Sequence, residues 1–208
     1  MSDAHARVHF RFLTEQPPVE TAESGVLAPA RWRFRGDETT IELGVLMPNV
    51  SVNGALLEAL ERTDGFPSST VGAILAADPF AIWDDLCATL RDKGIGRVIN
   101  YPTMGAHSGP LAEGLDAMGT GYAAEIARLD RLKSDGLGVV AMASSLDQVV
   151  HAAAIEPESI VLHAFAAQGS LKDADLITEA RQISGRPIVL HGRKWHGDAM
   201  RIADGALC

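Results

Sequence analysis

The stretch LGVVAMASSLDQVVHAAAIEPESIVLHAF, residues 137–165, contains the pattern that decides the fold. A continuous apolar run (137–143) is followed by an amphipathic run (145–154) and then by a second apolar run (159–165). Short, continuously apolar runs are typical of parallel strands that are buried on both faces. An amphipathic segment between two such runs predicts a helix that crosses over from one strand to the next. The stretch therefore predicts one βαβ unit.

The same alternation extends over the chain from residue 41 onward. Helical segments are recognised by apolar residues at three- and four-residue spacing, as in 79–94. Gly94, Gly136 and Gly185 each follow such a segment, where a left-handed C-terminal cap is expected. This order predicts seven parallel strands separated by six helices. The further strands are predicted at 41–47, 71–77, 97–101 and 187–191, and ADGALC (203–208), at the end of the chain, is the seventh. The further helices are predicted at 52–63, 79–94, 110–134, 173–184 and 197–202.

The first 40 residues follow a different pattern. VHFRFL (8–13) alternates apolar and polar residues, which predicts a strand exposed on one side. Residues 16–30 are rich in Pro, Ser and Gly and contain no convincing helix. RWRFR and TIELG flank GDET, so residues 31–44 indicate a hairpin.

One N-terminal strand added to seven gives eight, the number of strands in a closed (β/α)₈ or TIM barrel. Such barrels typically have about 250 residues. A chain of 208 residues therefore predicts a TIM-type barrel that is shortened at both ends and lacks its first and last helices. We expect a single domain over 1–208, with an atypical segment over 1–40 and regular βα units over 41–208. An open, doubly wound sheet is the alternative.

The composition excludes several classes of function. A net charge of −9 argues against nucleic-acid binding, which needs a basic face, and against an anionic membrane surface. A small anionic substrate is compatible with it, because a cleft can be locally positive in an acidic protein. Cys87 and Cys208 are too few for a disulfide framework. With no signal-peptide pattern and no apolar run of about 20 residues, we expect a cytoplasmic protein.

Polar side chains gather where the predicted strands end. In barrels and in open parallel sheets, chemistry collects at the carboxyl ends of the strands. His163 and His191 occupy similar positions on neighbouring strands and are expected to face each other. Other polar residues near strand ends are Asn49, Asn53, Asp78, Asn100, Tyr101, Thr103, His107, Ser144, Ser145, Gln168, Lys194 and His196.

Several of these residues have a simpler structural interpretation. Asp78 and Ser145 precede helices and are natural N-caps. A single histidine at a strand end is as often a core residue as a catalyst. The histidine pair, completed by Asp78 or Glu125, could bind a divalent metal, but no HxH, HExxH or cysteine spacing indicates one, so the cofactor stays open. No serine nucleophile elbow, phosphate loop or dinucleotide loop is present, and GTG (119–121) is expected to break or join two helices.

Several short motifs occur along the chain: RFR (33–35), GVLMPN with Asn53 (44–53), ADPF (77–80), RVINYPT-G (97–105), GTGYAAEI (119–126) and the histidines at 163 and 191. NYPT, followed about 17 residues later by a G-x-GY-x-x-E helix, is the most specific combination. Together these motifs resemble the phosphoenolpyruvate hydrolase-like family of TIM barrels. A related barrel forms the C-terminal part of a plant virus-resistance protein. The resemblance covers roughly residues 31–207.

The resemblance implies an enzyme that acts on a small anionic oxo-acid or enol-phosphate by hydrolysis or lyase-type cleavage. Glu125, His163 and His191 would be catalytic. Glu125 lies three residues after Tyr122 on one helix face, and a carboxyl group pointing toward an apolar mouth is expected to have a raised pKa. Substrate binding would involve Arg33 and Arg35, whose guanidinium forks suit a carboxylate or phosphate. The family positions also match Asp78, Asn100, Thr103 and Tyr122, and Lys194 is a further candidate that could substitute for the family's phosphate loop.

The chain departs from the family pattern in several places, and the family's polar extension after the last strand is also expected to be missing. No glycine-rich turn lies between residues 8 and 30, Ala164-Phe165 follows His163, and Gly192-Arg193-Lys194 follows His191. These departures favour the alternative of a non-catalytic ligand-binding or partner subunit. The shortened ends would expose the flanks of the first and last strands, which predicts a homo-oligomer that buries Trp32 and Phe34, with a paralogue as a further candidate partner.

Overall fold

Eight parallel strands form a closed barrel, numbered β1 to β8 in chain order, with β1 hydrogen-bonded to β8. This is a computed structural model, and it describes residues 8–13, 24–32, 38–44, 46, 51–163, 172–192, 195 and 198–207. The predicted TIM-type barrel is confirmed. The strands are β1 (Val8–Leu13), β2 (Ser24–Leu27), β3 (Val71–Ile74), β4 (Arg97–Asn100), β5 (Gly138–Ala143), β6 (Ser159–Leu162), β7 (Ile188–His191) and β8 (Gly205–Leu207).

The helices of the described residues lie between these strands. Residues 118–121 separate two helices, as expected from the GTG motif. Gly94, Gly136 and Gly185 have φ angles of 80°, 92° and 62°, so the predicted left-handed caps are confirmed. The helices are α1 (Glu38–Gly44), α2 (Val52–Glu61), α3 (Trp83–Asp92), α4 (Gly109–Ala117), α5 (Tyr122–Ser134), α6 (Leu146–Ala154), α7 (Asp173–Ser184) and α8 (Asp198–Ile202), with 3₁₀ turns at Pro29–Trp32 and Met104–Ala106.

Alternate side chains of each strand enter two separate apolar layers. In β5, Val140 and Met142 belong to a cluster inside the barrel, whereas Val139 and Ala141 pack in the layer that includes the helices. Successive side chains of a strand point to opposite faces, and both faces are covered here. This is why the strands are continuously apolar in sequence.

The strand and hairpin predicted within residues 31–47 are wrong in the part of this range that the structure describes, residues 31–32, 38–44 and 46. Residues 40–44, assigned to a strand and a hairpin, belong to α1, with Ile41 and Glu42 buried. The second strand is instead β2, whose Val26 and Leu27 are 1% and 3% exposed. A run of four apolar residues does not distinguish a strand from one turn of helix, and the Pro/Ser/Gly context concealed β2.

Two other expectations were that the barrel lacks its first helix and that the chain contains no membrane-spanning helix. The predicted absence of a first helix falls on residues 14–23, which lie outside the described residues. Among the helices described, none has the length and apolarity needed to cross a membrane.

Candidate functional site

Two buried histidines lie together at the carboxyl ends of neighbouring strands. His191 is the last residue of β7, and His163 directly follows β6. Their ring centroids are 4.9 Å apart, with an angle of 41° between the ring planes. The side chains are 1% and 0% exposed, respectively. The structure therefore brings together the two histidines that were expected to face each other.

An arginine and two aromatic rings surround His191. The rings of Phe12 and Tyr101 lie 5.6 and 5.4 Å from the His191 ring. Arg31, in the 3₁₀ turn after β2, lies with its guanidinium carbon 4.3 Å from the centre of the Phe12 ring, a cation–π geometry. Its Nη1 donates a hydrogen bond to the Tyr101 hydroxyl. Arg31 therefore brings a positive charge to the mouth of the barrel.

The two histidines have different electrostatic surroundings. Burial lowers the pKa of His191 well below its ordinary value, and the positive charges of His163 and Arg31 lower it further. His191 is therefore neutral at neutral pH. His163 has a carboxylate partner, because Oε1 of Glu42 lies 3.0 Å from its Nε2. This carboxylate favours the protonated form of the His163 ring.

Glu42 belongs to α1 and is 1% exposed. Its Oε1 faces His163, and its Oε2 accepts a hydrogen bond of 3.0 Å from the backbone N–H of Thr103.

The sequence interpretation missed Glu42, because it placed this residue in a strand. It also missed Arg31, the first of three arginines in RWRFR, because β2 was not recognised before it. Correct assignment of β2 would have placed Arg31 at a strand end.

Glu125 lies in a second cluster, between α5 and the loop that follows β4. Its Oε1 accepts a hydrogen bond from Met104 N (3.0 Å), and its Oε2 accepts from the Thr103 hydroxyl (2.6 Å) and Asn100 Nδ2 (3.1 Å). Burial raises its pKa to about 7 against these hydrogen bonds, with a further contribution from Glu42. The predicted rise in pKa is present, but the carboxyl group faces the β4 loop.

Asn100 and Tyr122 connect this cluster to β5. Ile99 and Tyr101 point into the barrel, so Asn100 between them points to the opposite side. Its Oδ1 accepts from Met142 N at 2.7 Å. The Tyr122 hydroxyl lies 2.9 Å from the oxygen of Met142. In this structure, the hydrogen bonds of Asn100 and Tyr122 therefore hold β4, β5 and α5 together.

Of the remaining predicted site residues, Asp78 is described, and its hydrogen-bond partners are not the histidines. Asp78 accepts hydrogen bonds from Asn53 Nδ2 (3.0 Å) and from Phe80 N (2.9 Å). It is not an N-cap, since Ile82 holds that position in α3, whereas Ser145 is the N-cap of α6. Arg33, Arg35 and Lys194 lie outside the described residues.

Within the part of the chain that the structure describes, no group of three or more His, Cys, Asp and Glu side chains is arranged to hold a metal ion. The divalent-metal interpretation therefore gains no support from these residues.

The fold and the histidine pair define a (β/α)₈-barrel protein with a candidate site at the carboxyl ends of its strands. The model of the phosphoenolpyruvate hydrolase-like family matches residues 26–184, which is more than half of the chain. The chain belongs to this family.

Individual proteins show more distant similarity. The uncharacterized protein y4oT of Sinorhizobium fredii is 28% identical over 117 residues, which cover 56% of this chain and 60% of that protein. The ToMV resistance protein Tm-1(GCR237) of Solanum lycopersicum is 27% identical over 123 residues, 58% of this chain and 16% of that protein. The chain thus spans less than two thirds of either relative.

Among solved structures, a candidate lyase/mutase from Burkholderia cenocepacia J2315 has a TM-score of 0.52 at 12% identity. The match covers 98% of this chain and 77% of that one. At this identity the likeness shows the fold alone.

Proposed function

We propose that this protein is an enzyme that acts on a small anionic oxo-acid or enol-phosphate by hydrolysis or lyase-type cleavage. The observation that carries the proposal is the pair of buried histidines with opposite electrostatic surroundings, one paired with Glu42 and one neutral. Two neighbouring titratable groups that are held in different protonation states can serve as an acid and a base in one step.

The roles follow from these charges. In hydrolysis of an enol-phosphate, neutral His191 takes a proton from the attacking water as its oxygen bonds to phosphorus. Protonated His163 gives a proton to the enol oxygen as the phosphorus–oxygen bond breaks. Proton transfer between the two rings restores the starting state. In a cleavage next to a carbonyl, the same pair deprotonates a hydroxyl group and protonates the enolate that leaves.

Arg31 supplies the anion-binding charge in this proposal. A guanidinium group presents several donors in one plane, which matches a carboxylate or a phosphate. Arg31 lies beside Phe12 and Tyr101, within the electrostatic reach of His191. Arg33, Arg35 and Lys194, which the sequence assigned to substrate binding, remain candidates for the same role.

The alternative is a non-catalytic ligand-binding or partner subunit. The observation that favours it is the burial of both histidines, which are 0% and 1% exposed. A substrate reaches them only if a covering element moves, and α1 is such an element because Glu42 contacts His163.

Turnover assays distinguish the two functions. Purified protein is assayed with phosphoenolpyruvate for phosphate release and with a panel of oxo-acids for pyruvate release. His163→Asn and His191→Asn are expected to lower kcat by about 100-fold or more, the lower range of general acid–base catalysis. His151→Asn, on the exposed face of α6, is the matched control and retains full activity.

Two results would contradict the proposed enzymatic function. One is turnover that both site variants retain. The other is a rise in melting temperature with phosphate or pyruvate but no turnover of any compound, which would support the ligand-binding alternative.

A further inference from the structure

Glu42 connects two loops of the barrel that are not adjacent. Thr103 follows β4 and His163 follows β6, and β5 lies between these strands. One carboxylate oxygen of Glu42 lies 3.0 Å from His163 Nε2, and the other accepts a 3.0 Å hydrogen bond from Thr103 N. The short helix α1 is thereby attached to both loops through one side chain.

The contact with Glu42 also bears on where the His163 ring carries its proton. A carboxylate that is only 1% exposed is stable only when donors replace its water. The backbone N–H of Thr103 supplies one donor, and a proton on His163 Nε2, which lies 3.0 Å from the other oxygen, would supply another. A hydrogen bond to one ring nitrogen determines which nitrogen carries the proton.

Thr103 donates hydrogen bonds to both buried carboxyl groups, but the two groups have different further partners. Its backbone N–H donates to Glu42, and its hydroxyl donates to Glu125. Asn100 and Met104 N also donate to Glu125, so that carboxyl group secures the β4 loop. Glu42 is the carboxylate that reaches the histidine.

We propose that Glu42 is the positioning residue of this site, which holds the proton on Nε2 of His163 and orients that ring beside His191. The inference rests on the proposed function for its effect on turnover, but the contact itself can be tested without a substrate. Among the residues that the structure describes, the charged and titratable groups next to His163 include Glu42 and His191, with Glu125 behind Thr103 and Arg31 beyond His191.

Long-range nitrogen–proton NMR spectra of the imidazole rings test the contact directly. His163→Asn provides the assignment of the His163 signals. In the wild-type protein, the neutral His163 ring is expected to carry its proton on Nε2. In Glu42→Gln, the pH midpoint of the His163 titration is expected to move to lower pH, since the negative charge is removed. Glu61→Gln, at the exposed end of α2, is the matched control and leaves this midpoint unchanged.

The kinetic test uses the compound that the wild-type enzyme turns over. Glu42→Gln is expected to lower kcat by about 10- to 100-fold with KM changed less than about twofold, because Glu42 acts on His163 and not on the substrate. Glu42→Asp retains the charge and is expected to recover part of kcat and to return the His163 midpoint toward that of the wild type.

Either of two results overturns the inference: a neutral wild-type ring with its proton on Nδ1, or a His163 midpoint that is the same in Glu42→Gln and the wild type. The first needs no variant, so it decides the question even when Glu42→Gln fails to fold. A wild-type protein that turns over no compound contradicts the proposed function, whereas the ring measurements still decide the role of Glu42.

Discussion

The carboxyl group of Glu125 has no exposed surface and receives hydrogen bonds from Thr103, Met104 and Asn100. These donors favour the ionised form, yet burial outweighs them and raises the pKa to about 7. The folded protein therefore binds a proton at this position more tightly than the unfolded chain does. The protonation of Glu125 therefore makes the free energy of unfolding depend on pH.

The stability contribution of Glu125 is expected to fall as pH rises. It is fully present below the ordinary pKa of 4.5 and is lost as pH rises through the folded-state pKa of about 7. The expected loss is roughly 3 kcal/mol over this window, at about 1.4 kcal/mol per pH unit. In Glu125→Gln this slope disappears, although the free energy of unfolding is lower throughout, because the amide faces hydrogen-bond donors.

Urea unfolding at several pH values between 4.5 and 8 measures this slope. Glu113→Gln, on the exposed part of α4, is the matched control and keeps the wild-type slope. Parallel stability curves for Glu125→Gln and the wild type would show that Glu125 is not the group that titrates.

Arg31→Lys is expected to weaken binding of phosphoenolpyruvate or inorganic phosphate by about tenfold. Lysine keeps the charge but loses the planar fork and its hydrogen bond to Tyr101. A charge-assisted hydrogen bond contributes about 1.5–3 kcal/mol, which corresponds to at least a tenfold change in Kd. Isothermal titration calorimetry measures the affinity. Arg128→Lys is the control, since Arg128 lies 4.6 Å over the ring of Trp83 on the outer helices, and equal losses in both variants would contradict a site at Arg31.

At the scale of single elements, helix α6 shows which boundaries a sequence specifies. Ser145 is its N-cap, and the Ser145 side chain accepts a hydrogen bond from Gln148 N. Both the cap and the helix were predicted, because a small polar residue precedes a clear amphipathic period. Helix α1 was missed, because seven residues are too few to establish a helical period.

Ser145→Ala is expected to lower the free energy of unfolding by about 1 kcal/mol, the usual effect of losing a side-chain cap. Ser108 is the matched control, since it is the N-cap of α4 but makes no side-chain cap hydrogen bond. Ser108→Ala is therefore expected to change stability by clearly less. Chemical unfolding of the two variants measures the difference, and equal effects would show that the Ser145 bond adds nothing.

At the scale of the whole molecule, closure of the barrel changes the argument for association. Because β1 pairs with β8, the first and last strands have no open edge toward each other. The argument for a homo-oligomer therefore rests on exposed apolar surface instead of on open strand edges. The side chains of Phe80 and Ile82 are 91% and 69% exposed.

We still expect a homo-oligomer at micromolar concentration, for which the sequence predicted an interface that buries Trp32 and Phe34. Sedimentation velocity measures the mass, and a single boundary at the mass of one chain would contradict the prediction. Phe80→Ser distinguishes the two surfaces, because it is expected to weaken association only if the exposed residues after β3 take part.

The alternation of apolar and amphipathic segments by itself predicted the barrel and the positions of strands β3 to β7, and the alternating residues of VHFRFL predicted β1. Each βα unit is a local pattern, and a strand buried on both faces must be apolar throughout. The same pattern placed His163 and His191 at strand ends. Only the tertiary structure decided that Glu42 and Arg31 join them and that Glu125 binds the β4 loop. Those partners are far apart in the chain, so their contacts form only when the barrel closes. A buried charge needs polar or charged partners, and only the folded barrel decides which residues these are.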